Sequence, residues 1–430
     1  MTASPSIPKA PRLRFNSFRD DWIETPMGKL MSFKNGYNAG KEQYGSGIKF
    51  INVLDIIEND FIVHDLIIGS VQIPDRDFKK NEVKYGDILF QRSSETREEV
   101  GQANVYLDRG KSATFGGFVI RGRPIREFDP VFFNGMLKTA KPRKDMTSRS
   151  GGSTRYNIGQ ESLEEVTVSI PSLPEQRKIA DFLTAVDGRI GQLSQKKALL
   201  EDYKKGVMQQ LFTQALRFKD DHGNDFPEWE EKKYSEIYTF QNTNSYSRDL
   251  LTYEGGEVRN IHYGDIHTKF RSNFHLSKEV VPFIKPEVEL KRISKDCYCR
   301  VGDLVIADAS EDYADVGKCI EIIELGEKTL AGLHTFIARP RKGAVSPGFG
   351  GYLMQSREVR LKIMTIAQGT KVLGLSKNML CNIKLPIPHT AEQTKIANFL
   401  TALDRKIESV SQQITHTQAF KKGLLQQMFV

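Results

Sequence analysis

The last 39 residues of the chain, 392–430, repeat residues 175–213. Aligned without a gap at a shift of 217, the two stretches share 19 of 39 residues, where chance gives about two or three. A fold for this chain must therefore accommodate two copies of one unit.

Both copies read as long amphipathic helices. In the first, Ile179, Leu183, Val186, Ile190, Leu193, Leu200, Val207 and Leu211 fall at three- and four-residue steps, with Lys197 and Lys204 interrupting the seam. The second repeats the stripe at Ile396, Leu400, Leu403, Ile407, Val410, Ile414, Leu424 and Met428. A seam of this period needs a partner helix, and the economical arrangement packs the two repeats antiparallel, each burying the other's stripe. Capping boxes are expected at Ser172 with Glu175 and at Thr390 with Gln393, with Pro174 in the first turn. Gly188, Gly191 and Gly206 predict a bend or fraying in the first helix. At 1.5 Å per residue, a helix of about forty residues spans roughly 60 Å, the dimensions of a spacer rod. A hairpin that only closes a core is the simpler alternative.

The duplication reaches beyond the helices. Leu13-Arg14-Phe15 followed by Phe18 and Trp22 is matched by Leu216-Arg217-Phe218 followed by Phe226 and Trp229. FINVLDI with Asp55 meets NIHYGDI with Asp265, and KYGDILF with Gly86-Asp87 meets RVGDLVI with Gly302-Asp303. Glu99-Val100-Gly101 answers Asp315-Val316-Gly317. Runs such as Asp87–Phe90, Phe118–Ile120, Leu304–Ala307 and Thr335–Ile337 predict strands of a mixed or antiparallel sheet. SLEEVTVSIPSLPEQ and NMLCNIKLPIPHTAEQ each predict a strand that leads through prolines into a long helix. The fold class is thus α+β, with two tandem globular domains, each followed by a rod helix, related by a pseudo-twofold axis. Between the landmarks the loops differ: KNGYNAGKEQYGSG stands against QNTNSYSRDLLTYEGG, and FQRSSETREEVG against IADASEDYADVG. One scaffold with two sets of loops suits binding two versions of one kind of target.

Net charge is +8 and the pI is near 9.0, which favours an anionic partner. The four cysteines, Cys297, Cys299, Cys319 and Cys381, make no CxxC pair, so neither a disulfide framework nor a zinc ribbon is indicated. The N-terminal dozen residues are Pro- and Ser-rich and are expected to be flexible. They lack the apolar core of a signal peptide, and no window reaches the roughly 18 apolar residues of a membrane span. A soluble cytoplasmic protein without membrane contact is expected.

The paired helices, EQRKIADFLTAVD with KKGVMQQLF and EQTKIANFLTALD with KKGLLQQMF, together with YGDILF and VGDLVI, resemble the specificity subunit of type I restriction–modification systems. The resemblance covers nearly the whole chain in that family's order: target-recognition domain over 1–170, conserved helix over 171–215, target-recognition domain over 216–388, conserved helix over 389–430. It implies that each domain reads one half of a bipartite, asymmetric site in double-stranded DNA, while the antiparallel, coiled-coil-like helices space the domains. It also implies that the helices dock two modification subunits, which carry S-adenosylmethionine, and that restriction subunits supply ATP- and Mg-dependent translocation and cleavage. The specificity chain itself would bind no cofactor and catalyse nothing. Half-sites one helical turn apart lie roughly 34 to 36 Å from each other, so part of the rod could measure DNA and the rest could bind partners. A coiled-coil adaptor with two protein-binding domains is the alternative; it has no need for basic, Asn- and Arg-bearing loops on divergent copies of one domain.

Phosphate contacts need Arg, Lys and polar groups, whereas base reading needs forked groups such as Arg, Asn and Gln. In the first domain this selects Gln91, Arg92, Ser93, Ser94 and Arg97 after YGDILF, and then the basic run with Lys141, Arg143, Lys144, Arg149, Arg155 and Tyr156. In the second it selects Asn242, Asn244, Tyr246 and Arg248, then Asn260 and His262, then Arg357, Lys362 and Lys371. The loop after VGDLVI, Ala307 to Asp312, is acidic and is left out, since a carboxylate beside phosphates is repelled. PDRDFK and PEVELK resemble compressed fragments of a nuclease motif, and RGKS lacks the glycine of a phosphate-binding loop; neither is assigned chemistry. His262, His267 and His275 do not fall at a ligand spacing on a helix.

Overall fold

The computed structural model describes residues 10–290 and 293–429. Residues 1–9 of the Pro- and Ser-rich leader and Lys291 of PEVELK lie outside them. The described chain forms two compact units, Met1–Ser194 with Gln412–Val430 and Gln195–Ser411. The division falls inside both long helices.

In the first unit, Met31–Asn35, Val119–Pro124, Ile88–Gln91 and Ala103–Val105 form an antiparallel four-stranded sheet in that order. In the second unit, Tyr238–Gln241, Thr335–Pro340, Leu304–Ala307, Cys319–Glu324 and Asn273–His275 form a five-stranded sheet, with only the last pair parallel. Side chains alternate across a strand, so the central strands bury both faces. Ile88 and Phe90 face the larger core of the first unit while Leu89 faces a smaller one with Phe115; Leu304 and Ile306 are split from Val305 in the same way in the second. The larger core in each case is the one the long helices complete.

The recurring Gly-Asp pair starts each central strand by one mechanism. Gly86 and Gly302 take φ +87° and +91°, a left-handed conformation that favours glycine. The following aspartate then turns back to accept the amide of Lys84 at 2.9 Å, or of Arg300 at 2.8 Å. Its two oxygens also accept the fork of Arg123 at 3.0 and 2.7 Å, or of Arg339 at 2.9 and 2.8 Å.

The central helix, Leu173–Phe212, and the C-terminal helix, Thr390–Met428, are each continuous. No break occurs at Gly188, Gly191 or Gly206, contrary to the expected fraying. A Cβ at any of the three would meet nothing within 4 Å, so these glycines cost helix propensity without disturbing packing. The two helices run antiparallel within each unit. In the first, Ile179, Leu183 and Val186 share a core with Leu424 and Met428, and Lys421 bonds Asp187 at 2.6 Å. In the second, Val207 and Leu211 share a core with Ile396 and Leu400, and Lys204 bonds Asp404 at 2.6 Å. The two ion pairs are one pair repeated, because the shift of 217 carries Asp187 to Asp404 and Lys204 to Lys421. Lys204, which interrupts the apolar seam in the sequence, is thereby accounted for.

The expected capping boxes are replaced by tighter fixtures. Glu175 accepts Arg14 Nε and Nη2 at 2.7 and 2.8 Å and Trp22 Nε1 at 3.4 Å. Glu392 accepts Arg217 Nε and Nη2 at 3.2 and 2.9 Å and Trp229 Nε1 at 3.1 Å. Gln393 bonds the carbonyl of Pro388 at 3.0 Å and the amide of Ser346 at 2.8 Å. The matching Leu-Arg-Phe and Trp landmarks are thus the straps that tie each domain's first residues to its helix start.

One buried group has no counterpart in the first unit. Glu321 is 1% exposed and accepts the amides of Gly348 and Gly351 at 2.6 and 2.7 Å; its strand position corresponds to Val105. Burial pushes its carboxyl from the ordinary 4.5 up to about 7 against those amides. Between these values the unfolded chain ionises while the folded one stays protonated, so stability falls as pH rises from 4.5 to about 7 and is then level. Relative to Glu321→Gln, the wild type is expected to lose roughly 3 kcal/mol across that window. Urea unfolding at a series of pH values measures the difference; parallel curves for the two proteins would refute it.

Candidate nucleic-acid interface

Two candidate stretches of the first domain, about sixty residues apart, meet in the structure. Beyond the central strand, Ser93–Ser94 pairs with Tyr156–Asn157, Ser93 Oγ bonds Asn157 Oδ1, and Ile158 donates its amide to the carbonyl of Arg92 at 3.0 Å. Gly151 and Asn157 close a short hairpin turn that carries Arg155, whose side chain is 64% exposed. Gly152 there takes φ +127°, and a Cβ would fall 1.9 Å from the carbonyl oxygen of Arg155. The second domain pairs Ala309–Ser310 with Leu373–Gly374 in the same way, and the bridge between Gln368 and Gly374 closes the matching turn. Gly369, at φ +137°, replaces Gly152, and exposed Lys371 lies in the turn.

The remaining candidates separate by what holds them. Gln91 and Ser94 are buried; Gln91 Nε2 donates to the carbonyl of Ser93 at 3.0 Å and Ser94 Oγ to Glu99 at 2.8 Å. Arg97 Nε donates to the carbonyl of Thr147 at 3.1 Å. Arg143 Nη2 donates to the carbonyls of Glu98 and Val100 at 2.7 and 2.8 Å, and burial lowers its pKa. Its repeat counterpart Arg360 does the same at Ala314 and Val316, at 2.8 and 2.7 Å. Lys141 reaches Glu24 at 2.9 Å, and Arg149 pairs with Asp145 at 2.8 Å and with Glu165. Lys362 bonds the carbonyl of Lys384 at 2.9 Å. Lys141 and Lys362 thus tie their helices to the strands Ile23–Pro26 and Lys384–Ile387, and Arg143 and Arg360 tie the same helices to the loops at 98–100 and 314–316. Lys144 stays exposed on the helix Ala140–Ser148, and Arg357 is exposed at the start of Arg357–Ile366.

In the second domain the candidates Asn244 and Tyr246 help to line a cavity of about 470 Å³ together with Asp308, His334 and Lys377, whereas Arg248, Asn260 and His262 are not part of its lining. Asn242 is exposed beside it. Asn244 Nδ2 donates to Asn260 Oδ1 at 2.7 Å and to the carbonyl of Ala331 at 2.9 Å, and Asn260 is fully buried. His262 Nδ1 accepts the amide of Gly264 at 3.1 Å; burial and then Arg248 lower its pKa. Arg248 forks onto Asp265 at 2.8 and 3.0 Å. Although burial raises the Asp265 carboxyl, Arg248 and Lys269 outweigh it and leave the pKa low.

The first domain carries a cavity of about 390 Å³ at the corresponding place, bordered by Tyr37, Asn38, Tyr44, Asn52, Gly117 and Phe118. The correspondence is in the backbone. Tyr37 donates its amide to the carbonyl of Phe115 as Asn244 does to Ala331, at 2.8 and 3.1 Å. Gly116 bonds Ile51 as Gly332 bonds Ile261, at 3.0 and 2.8 Å. Arg92 bonds Phe118 as Asp308 bonds His334, at 2.8 and 3.1 Å.

The candidates read from the sequence include Asn244 and Tyr246 on the second cavity and no residue that lines the first, whose Tyr37, Asn38 and Tyr44 lie in KNGYNAGKEQYGSG. They also leave out the acidic loop, of which Asp308 lines the second cavity. There Asp308 Oδ1 lies 3.3 Å from His334 Nδ1, and burial raises its carboxyl pKa. Among the described residues no group of three or more His, Cys, Asp or Glu could hold a metal ion, and no helix is long and apolar enough to cross a membrane.

Comparison with known proteins converges on one family. The model of the type I restriction modification DNA specificity domain matches twice, over residues 23–202 and 227–416. A chain named as a type I restriction enzyme MjaX specificity subunit in Methanocaldococcus jannaschii is 23% identical over 424 residues, covering 94% of this chain and 92% of its own. The type I restriction–modification S subunit from M. genitalium superposes with a TM-score of 0.54 at 14% identity, covering 98% of this chain and 99% of that one. The HsdS subunit from Thermoanaerobacter tengcongensis gives 0.51 at 16%, covering 94% of both. With both halves matched by one domain model, and the duplicated straps, strands and helices each doing the same work twice, the chain belongs to the type I restriction–modification DNA specificity family.

Proposed function

We propose that this DNA sequence-specificity subunit reads a bipartite, asymmetric site, one half with each recognition domain, and that its helix pair docks two modification subunits. The observation that carries the proposal is the contrast between frame and rim. The Gly-Asp strand starts, the Glu–Arg–Trp straps and the Asp–Lys helix pairs are repeated residue for residue. At the corresponding cavities, by contrast, Phe118 stands for His334, and beside them Arg92 takes the backbone position of Asp308. Selection for two unlike half-sites on one scaffold produces this division. Repeated helix surfaces, in turn, offer two copies of one partner equivalent places to bind.

On this reading the methyl transfer, with its S-adenosylmethionine, belongs to the modification subunits, and the ATP- and Mg-dependent steps to restriction subunits. The complex works on cytoplasmic DNA. Phosphate contacts fall to exposed basic residues such as Arg155, Lys144, Arg357 and Lys371, so binding weakens steeply with salt.

Co-expression with the modification subunit of the same organism, followed by purification and methylome sequencing, tests the proposal. The expected result is one copy of this chain with two modification subunits, methylating one split motif with two unlike halves. Stable association without sequence-specific methylation would leave an adaptor, and no association would remove the docking role from the helices.

A further inference from the structure

The two rim cavities share a backbone and differ in chemistry, and this difference can be read against the exposed edges of bases. In the first domain Arg92 Nη1 donates to the carbonyl of Gly117 at 3.3 Å, and Gly117 borders the cavity, so the guanidinium stands beside the cavity without lining it. Beside it Phe118 is 62% exposed, and Tyr44 and Leu54 are 49% and 59% exposed on the same rim. In the second domain the same two positions hold Asp308 and His334, 3.3 Å apart. His334 takes φ +54°, a conformation that costs a non-glycine residue about 1 kcal/mol or more and collects at functional sites. Lys377, on the same cavity and 5.2 Å from the Phe336 ring, supplies the positive charge that lets a carboxylate approach DNA.

We propose that these cavities are the base-reading sites of the two domains, with positions 92 and 118 setting preference in the first and 308 and 334 in the second. An arginine fork donates to guanine O6 and N7, an aromatic ring packs on the thymine methyl, and a carboxylate accepts from cytosine N4. The first cavity therefore favours a guanine next to a thymine, and the second a cytosine. The hairpins with Arg155 and Lys371 hold phosphate and carry no sequence preference. The acidic run after VGDLVI, repulsive to phosphate as a loop, contributes Asp308 to base reading at its one residue inside the cavity.

This inference rests on the specificity-subunit reading, and its test separates the two. Phe118→His and Asp308→Asn are each placed in the complete methyltransferase, and methylomes are compared with wild type alongside binding of the purified complexes to duplexes varied one base pair at a time. Phe118 is on the surface, so its replacement leaves the core untouched. Each variant is expected to lose a roughly 10- to 100-fold discrimination at one base pair of one half-site, with the other half-site read as before. Asp308→Asn is expected to accept adenine where the wild type requires cytosine, since an amide pairs with adenine N6 and N7. Unchanged motifs in both variants, or a uniform loss of affinity with discrimination intact, would overturn the inference. A wild-type complex that methylates no split motif would overturn the specificity-subunit reading instead.

Discussion

Phe429→Ala is expected to unfold the amino-terminal domain first. The side chain is 7% exposed in the core of the first unit, with its ring 5.2 Å from Phe132 and 6.4 Å from Trp22. Leu13 adds a backbone bond to the carbonyl of Gln427 at 3.0 Å. The second unit is closed in the same way from the other direction: Phe212, from the end of the central helix, lies 6.2 Å from Trp229 and 5.9 Å from Phe349. Each core therefore borrows its closing phenylalanine from the helix that follows the other domain. Removing a buried ring of this kind costs about 3 to 5 kcal/mol through lost burial and the cavity left behind. Hydrogen exchange of the whole chain is expected to show faster exchange in the strands Met31–Asn35 and Val119–Pro124, with Leu304–Ala307 and Thr335–Pro340 unaffected. Faster exchange confined to residues near 429 would show that the helix end only frays and that the first core closes without it.

This closure explains what the sequence made legible and what it did not. The duplication exposed the antiparallel helix pair, because the stripe at Ile179, Leu183 and Val186 needs the partner that Leu424 and Met428 provide. Strand starts were legible for a local reason: Gly86-Asp87 and Gly302-Asp303 carry the turn and its lock within four residues. Glu175 was misread because a glutamate at that position fits a local cap, whereas its partners Arg14 and Trp22 lie about 150 residues away. Arg143 and Lys141 looked like phosphate contacts by charge alone, and only the packing of their helix shows the carbonyls and carboxylates they meet. Phe118 carried no signal at all. An exposed phenylalanine after two glycines reads as a strand entering the core until the fold shows which side of the turn it occupies.

Glu392→Ala is expected to release residues 216–229 from the second domain. The carboxylate is fully buried at the start of the C-terminal helix, and its two oxygens hold the Arg217 fork and the Trp229 indole. Arg217 also donates to the carbonyls of Phe226 and Pro227, at 3.1 and 2.6 Å, so one guanidinium gathers the whole entry segment around one acid. Deleting the acid leaves a largely buried guanidinium and an indole N–H without their acceptor, which costs about 3 to 5 kcal/mol when the partner stays behind. Glu392→Gln keeps an acceptor for the indole and loses the charge, a change closer to the roughly 1.5 to 3 kcal/mol of a charged hydrogen bond. The helix start contributes as well, since a negative side chain in the first turn faces the positive end of the helix dipole. Urea unfolding orders the two variants, and hydrogen exchange locates the effect: residues 216–229 should exchange faster in Glu392→Ala, while the corresponding strap at 13–22, held by Glu175, stays protected. Equal exchange in both straps would mean that the ion pair is incidental to docking and that Phe218 and Trp229 hold the segment by packing alone.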